Sequence, residues 1–307
     1  MAIITLGTMA FDAIETPFGK VDKIVGGSAT YVAYAASHLM QPIQQISIVG
    51  NDFPEEEMAE LKKRGVQLTG VEIVPDQKSF FWSGKYHLDM NSRDTLITDL
   101  NVLANFNPKV PEEYQGAEFL MLGNLMPSLQ LSVIEQLRTR PRLIVLDTMN
   151  FWMESAMEDL KKVLLKVDVL LINDSEARQL GGEYSLVKCA KKILQMGPAF
   201  LIIKKGEHGA LLFHENKVFF APALPLDDVF DPTGAGDAFA GGFIGHLAHT
   251  GNISFENMKT GIIVGSAMAS FCVENFGPQR LKEITRKDID SRLAEFVQLS
   301  NFDISLV

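Results

Sequence analysis

Cysteine is scarce in this 307-residue chain: Cys189 and Cys272 are the two present, and their separation fits neither a disulfide framework nor a zinc site. Both fall in runs that read as helix, SLVKCAKKI and AMASFCVEN, so they are expected to be reduced packing residues, which points to a reducing compartment. Basic runs are missing too. Lys161-Lys162, Lys191-Lys192 and Lys204-Lys205 are isolated pairs in a chain of formal net charge −10, which argues against a partner bound through nucleic-acid phosphates. No apolar stretch approaches the roughly 18 residues of a membrane span. The start, MAIITLGTMAFDAI, has no basic leader or cleavage site and reads as a strand entering the fold, so a cytoplasmic protein without membrane contact is expected.

What is present is 47% hydrophobic and 21% charged, enough to bury a large core without disulfides or metals. Near-continuous apolar runs at 2–6, 45–49, 118–122, 142–147, 168–172 and 200–204 predict strands buried on both faces. Helical spacing lies between them at 28–39, 55–64, 128–138, 153–166 and 185–196. Such alternation predicts an α/β fold, a doubly wound, mostly parallel sheet flanked by helices, in one domain over residues 1–307. Two segments break it, about 12–24 and 77–98, where polar and aromatic residues alternate without a helix partner. They are expected to form a small β lid; the alternative is two surface hairpins without a role. After a hairpin-like pair at 210–213 and 217–221, helices follow from Gly234 to about Thr250-Gly251, at 258–273 and at 285–297. Small residues at Gly241, Gly242, Gly245, Gly261, Gly265, Ala267 and Ala269 predict two helices in close approach.

The chemistry concentrates in Asp231-Pro232-Thr233-Gly234-Ala235-Gly236-Asp237. Pro232 keeps Asp231 extended, Gly234 and Gly236 leave the backbone bare, and a helix starts at once. Free amides at a positive helix end suit a phosphate. Asp237 sits in that same turn, and a carboxylate in an anion site needs a task. Phosphoryl transfer supplies one: a base that takes a hydroxyl proton while amides stabilise the charge on the group in flight. An isolated Asp would instead read as a complement to the helix dipole, worth about 0.3–1 kcal/mol. The glycines reverse that preference. The chain has no G-x-x-x-x-G-K-[ST] loop, no dinucleotide fingerprint after its first strand, and no protein-kinase signature.

DPTGAGDAFAGGF resembles the signature of the ribokinase-like carbohydrate kinases, the phosphofructokinase-B family. The likeness extends over nearly the whole chain. Gly26-Gly27-Ser28-Ala29 resembles that family's N-terminal double glycine, Asn173-Asp174-Ser175-Glu176 its N-x-x-E motif, and Lys204 to Gly209 (KKGEHG) its nucleotide turn. Four elements in the right order are far more specific than one glycine motif.

The resemblance implies an ATP- and Mg²⁺-dependent kinase with Asp237 as base and the amides of Gly234, Ala235 and Gly236 as anion hole. Asn173 and Glu176 would organise Mg²⁺, Glu176 through water, although NDSEARQL also reads as an ordinary capped helix start. Lys204, Gly206 and Gly209 would lie along the nucleotide, with Asn275 on the adenine side. Asp231, Thr233 and Gly277 fall where some relatives hold a monovalent cation such as K⁺. Asp12, Gly26 and Gly27 would hold the acceptor, under a lid that pairs two subunits in some relatives and so implies a homodimer. Where many relatives carry Asn after the double glycine, this chain has Tyr31, which leaves the acceptor open between a sugar derivative and a nucleoside. Phe80, Phe81 and Trp82 could cover a ring or simply pack; Asn124, Asn150 and Arg93 are further pocket candidates, or loop polar groups and a solvated lid charge. A nucleotide-binding regulator without catalysis is the reading from another class.

Overall fold

A computed structural model describes residues 1–301. In chain order the elements are β1 (Ile3–Leu6), β2 (Ala10–Thr16), β3 (Gly19–Gly26), α1 (Ser28–Ser37), β4 (Ile43–Gly50), α2 (Glu55–Lys63), β5 (Val66–Val74), β6 (Phe80–Tyr86), β7 (Arg93–Asp99), β8 (Phe119–Leu122), α3 (Pro127–Gln136) and β9 (Leu143–Asp147). There follow α4 (Asn150–Ser155), α5 (Met157–Leu164), β10 (Val169–Asn173), α6 (Asp174–Gly181), α7 (Leu186–Leu194), β11 (Phe200–Lys204), β12 (Ala210–His214), β13 (Lys217–Ala221), α8 (Ala235–Thr250), α9 (Phe255–Cys272), α10 (Gln279–Glu283) and α11 (Arg286–Ser300).

The six apolar runs become strands of a nine-stranded sheet in the order β13-β12-β11-β10-β9-β8-β1-β4-β5. From β11 to β5 every neighbour is parallel, and the β12–β13 hairpin adds an antiparallel edge. Alternate side chains enter separate cores: Val169 and Leu171 of β10 pack with α1, α8 and α9, whereas Leu170 and Ile172 pack with α3, α5 and α7. Burying each such side chain stabilises the fold by roughly 1.5–3 kcal/mol, which is why runs apolar on both faces are needed here. The chain proceeds outward from β1 to β4 and β5, then returns to lay β8, β9, β10 and β11 on the other side. Strand order therefore reverses between β1 and β8, and a crevice opens at the carboxyl ends of those strands.

The two segments that break the alternation form a separate four-stranded sheet, β3-β2-β6-β7. Its β2 and β6 run parallel, with Asp12 beside Trp82, and β7 returns antiparallel with Arg93 beside Tyr86. The glycine-rich helix packs more widely than expected. A side chain at Gly242 would meet Gly265 and Met268 of α9, but one at Gly241 would meet the Val32 carbonyl of α1, and one at Gly245 would meet Ala36. Three helices, not two, therefore use the small residues.

One expectation fails and one strand goes unforeseen. The helix expected at 153–166 is broken at Ala156 (φ −143, ψ 34), whose carbonyl starts α5 while its amide closes α4 on Trp152. Strand β5 escaped notice because it pairs only with β4 at the sheet edge and is half exposed, so it never reads as an apolar run.

Candidate active site

Three parallel strands end in polar residues at the crevice: Asp147 on β9, Asn173 on β10 and Lys204 on β11. The Lys204 ammonium lies 3.1 and 3.2 Å from the two oxygens of Asp147, and both side chains are largely buried. Lys204 Nζ also stands 3.0 Å from where a side chain on Gly236 would begin, so a larger residue there would push the ammonium aside by a few tenths of an ångström. Asn173 caps α6: its Oδ1 accepts from the Glu176 amide at 2.8 Å, and Glu176 Oε2 accepts from the Asn173 amide at 2.7 Å. The capping reading of this motif therefore holds, and it leaves Glu176 Oε1 free on the side where Lys204 and Asp147 act on it electrostatically.

Helix α8 begins on Gly234, which takes a left-handed conformation (φ 77) and lies directly on the Tyr31 ring. Tyr31 is 1% exposed and its hydroxyl has no partner among the described residues, so the residue supports the loop from below instead of opening onto an acceptor. The amides of Gly234, Gly236 and Asp237 donate to no acceptor among the described residues, while the Ala238 amide is bonded to the Gly234 carbonyl at 2.7 Å. Ala235 departs from expectation: its amide closes a turn on the Pro232 carbonyl at 3.2 Å. The free donors are thus 234, 236 and 237 rather than 234 to 236.

Asp12 approaches the same loop from β2, 5% exposed. Its carboxylate rests against Gly26, where any side chain would collide with it, and Gly27 takes φ 92 to clear the Thr8 carbonyl. Tyr86 of β6 reaches down to Thr233, hydroxyl to hydroxyl at 3.1 Å, and Asn91 in the loop after β6 lies against Gly206. The small sheet accordingly touches both the loop before α8 and the turn after β11. Gly206 (φ 55) and Gly209 (φ 80) shape that turn.

Asp231, Thr233 and Gly277 come together, since Asp231 accepts from the Thr233 amide at 2.8 Å and from the Gly277 amide at 2.9 Å. Asn275, two residues before Gly277, is exposed, with its Oδ1 accepting from the neighbouring Phe276 amide. Asn124 is occupied by Trp152, whose indole N–H donates to it at 2.8 Å, and Asn150 is exposed at the start of α4. Phe81 packs against the core, and Trp82 lies over Gly84 on the small sheet. The residues missed from sequence are Asp147 and Tyr86. A carboxylate closing the apolar strand LIVLD was a legible signal for the first; the second shows only once β6 is seen to cross the α8 loop.

Burial dominates the electrostatics. It pushes the Asp237 carboxyl up to about 7, with Asp147 adding to the rise and Lys204 and Arg93 opposing it. Asp12 is pushed up to about 8 by burial and by the charges of Asp231 and Asp237, against the Gly27 amide and Arg93. Glu176 rises to about 7, again by burial, with Lys204 and the Asn173 amide acting the other way. Burial disfavours the Lys204 ammonium, but Asp147, Glu176 and Asp237 more than offset that and raise its pKa. Carboxyl groups with raised pKa values, a buried ammonium and free helix-start amides are the parts of a site that moves a proton beside an anion. A cleft of about 540 Å³ beside Lys191, His214 and Glu215 lies at the opposite, amino-terminal edge of the parallel strands and is no part of it.

A family model described as pfkB family carbohydrate kinase matches residues 3–285. The chain belongs to that family. A cytidine kinase of Thermococcus kodakarensis is 27% identical over 248 residues, spanning 79% of this chain and 87% of that protein. The nucleoside kinase of Burkholderia thailandensis in complex with inosine superposes with a TM-score of 0.77 at 22% identity, covering 95% of this chain and 97% of that one. A putative ribokinase II from E. coli, in complex with ATP and Mg²⁺, gives a TM-score of 0.77 at 18% identity over 97% of this chain and 99% of that one. With those solved structures the protein shares a mostly parallel central sheet flanked by helices. No helix among its described residues is long and apolar enough to cross a membrane.

Proposed function

We propose that the protein transfers the γ-phosphoryl group of ATP to a hydroxyl of a small ribose-bearing acceptor, a nucleoside ahead of a free sugar. The observation that carries this reading is Asp237 in the first turn of α8, beside the unoccupied amides of Gly234 and Gly236 and facing Asp12 across the crevice. Asp237 accepts the proton of the attacking hydroxyl, the amides and Lys204 take up charge on the transferring group, and Asp12 holds acceptor hydroxyls, since a carboxylate can accept two of them.

Among the described residues no group of three or more His, Cys, Asp or Glu side chains could hold a metal unaided. That suits Mg²⁺, which keeps several waters and prefers phosphate oxygens. Glu176, with one oxygen committed to its cap and one free, fits an indirect role of this kind; the ion would neutralise phosphate charge. Two sequence relatives, the cytidine kinase and a nucleoside kinase 24% identical over 306 residues, favour a nucleoside, while a deoxyribokinase 26% identical over 285 residues keeps a free sugar as the alternative. Asp231, with an amide already on each oxygen, and Thr233 and Gly277 would frame any K⁺; activity compared in sodium and potassium buffers tests that. Strand β7 is an exposed edge carrying Leu96 and Ile97, which supports pairing of two copies through the small sheet. The cytoplasm is the compartment that fits an ATP-consuming enzyme with two free, buried cysteines.

The test is ATP consumption by the purified protein over a panel of nucleosides, pentoses, hexoses and inositols. Turnover on a nucleoside with none on free pentoses is the expected result. A preference for a free sugar reverses the acceptor assignment, and ATP binding without turnover on any compound favours the regulator.

A further inference from the structure

Nine arginines occur in the chain, and eight of them stand within 4 Å of a carboxylate: Arg64, Arg138, Arg140, Arg142, Arg178, Arg280, Arg286 and Arg292. Arg93 is the exception; it makes no ion pair or hydrogen bond among the described residues. Its place makes this unexpected. It opens β7 opposite Tyr86, whose hydroxyl lies 3.1 Å from Thr233, immediately before Gly234. The guanidinium stands 5.6 Å from the Trp82 ring and 6.0 Å from the Tyr86 ring. It feels Asp12, Glu176 and Asp237, carboxylates from three elements, yet pairs with none of them. In a chain of net charge −10 such a cation would ordinarily take a carboxylate partner. Here Arg93 is exposed and lies over two ring faces instead, which leaves its planar fork of N–H donors unoccupied among the described residues.

Lys204 faces the same space from the other side. It comes from the floor of the large sheet and abuts Gly236, while Arg93 comes from the small sheet. Both cations act on Glu176 and on Asp237, so the four groups lie within electrostatic reach of one another beside the start of α8. An anion placed there would meet a point charge below and a guanidinium fork above.

We propose that Arg93 is a catalytic residue whose guanidinium binds the γ-phosphoryl group during its transfer, opposite Lys204. This rests on the phosphotransferase reading of the site. In the step, the acceptor oxygen forms a bond to the γ-phosphorus and the bond from that phosphorus to the bridging oxygen breaks. The electron pair leaves on ADP and the hydroxyl proton passes to Asp237. Negative charge spreads over the transferring oxygens, and a fork that can engage two of them suits that geometry better than an ammonium.

The experiment compares the parent protein with Arg93→Gln and Arg93→Lys. Calorimetric binding of ATP and of ADP with Mg²⁺ needs no acceptor and so stands apart from the kinase reading. Arg93→Gln should lose about tenfold or more in ATP affinity and keep its ADP affinity. On an acceptor found in the panel, kcat should fall about 10²-fold with the acceptor KM little changed. Arg93→Lys should also lose turnover, because charge without the fork is not enough. Parental ATP affinity together with parental turnover in Arg93→Gln would overturn the proposal. So would an equal loss of ATP and ADP affinity, or a rise in acceptor KM alone. A parent that turns over no acceptor, while Arg93→Gln still loses ATP selectively, would sink the kinase reading and keep Arg93 on the γ-phosphate.

Discussion

Asp237 must be ionised to accept a proton, and burial holds its pKa near the middle of the working range, at about 7. Below that pH the group is protonated and cannot act as base, so turnover should rise from about pH 6 to about pH 8. A pH–rate profile of the parent checks this; Asp12 and Glu176 titrate in the same range, so the acidic limb should be the combined ionisation of this cluster. Gly234 makes a second residue-level prediction. Its φ of 77 costs a non-glycine residue about 1–2 kcal/mol, and a methyl group there would also press into the Tyr31 ring. Gly234→Ala should lower thermal stability by at least that amount and reduce turnover with it, as read by calorimetry and a kinetic assay.

At the scale of elements, the tie between β9 and β11 matters most. Asp147 holds the Lys204 ammonium and raises the Asp237 pKa by its charge. Removing that charge in Asp147→Asn makes Asp237 easier to ionise, so the acidic limb of the pH–rate profile should move to lower pH even as kcat falls. Elements also set what could be read from sequence. The six buried strands were visible because both faces need apolar residues, and the start of α8 because Pro232, Gly234 and Gly236 each have a local backbone reason. Asn173 and Glu176 were visible as a cap for equally local reasons. The break at Ala156, the edge strand β5, and the meeting of Tyr86 with Thr233 were not visible, because each depends on a neighbour distant in sequence. The Ala235 amide was misassigned for a smaller reason: the motif places it in the loop, but only the realised turn decides that Pro232 accepts from it.

For the molecule as a whole, the site is a stability liability. Asp12 and Asp237 both have folded-state pKa values above their usual range, so the folded state binds protons more tightly than the unfolded chain does. Their contribution to stability is complete below the ordinary aspartate pKa and is lost as pH rises through about 7 to 8. The melting temperature should therefore fall from about pH 4 to about pH 8 and change little above that. Asp12→Asn should flatten that fall and, at the alkaline end, gain on the order of 1 kcal/mol over the parent. A melting temperature that rises over this range would show that these carboxyls are paired rather than merely buried.

The central claim is that Asp237 takes the acceptor proton. It is tested most directly by the single-turnover rate of Asp237→Asn against the parent at saturating ATP and acceptor, with ATP affinity measured on both. A rate reduced about 10²-fold or more with ATP affinity little changed is predicted, because proton acceptance alone is lost. Equal rates in the two proteins would contradict it.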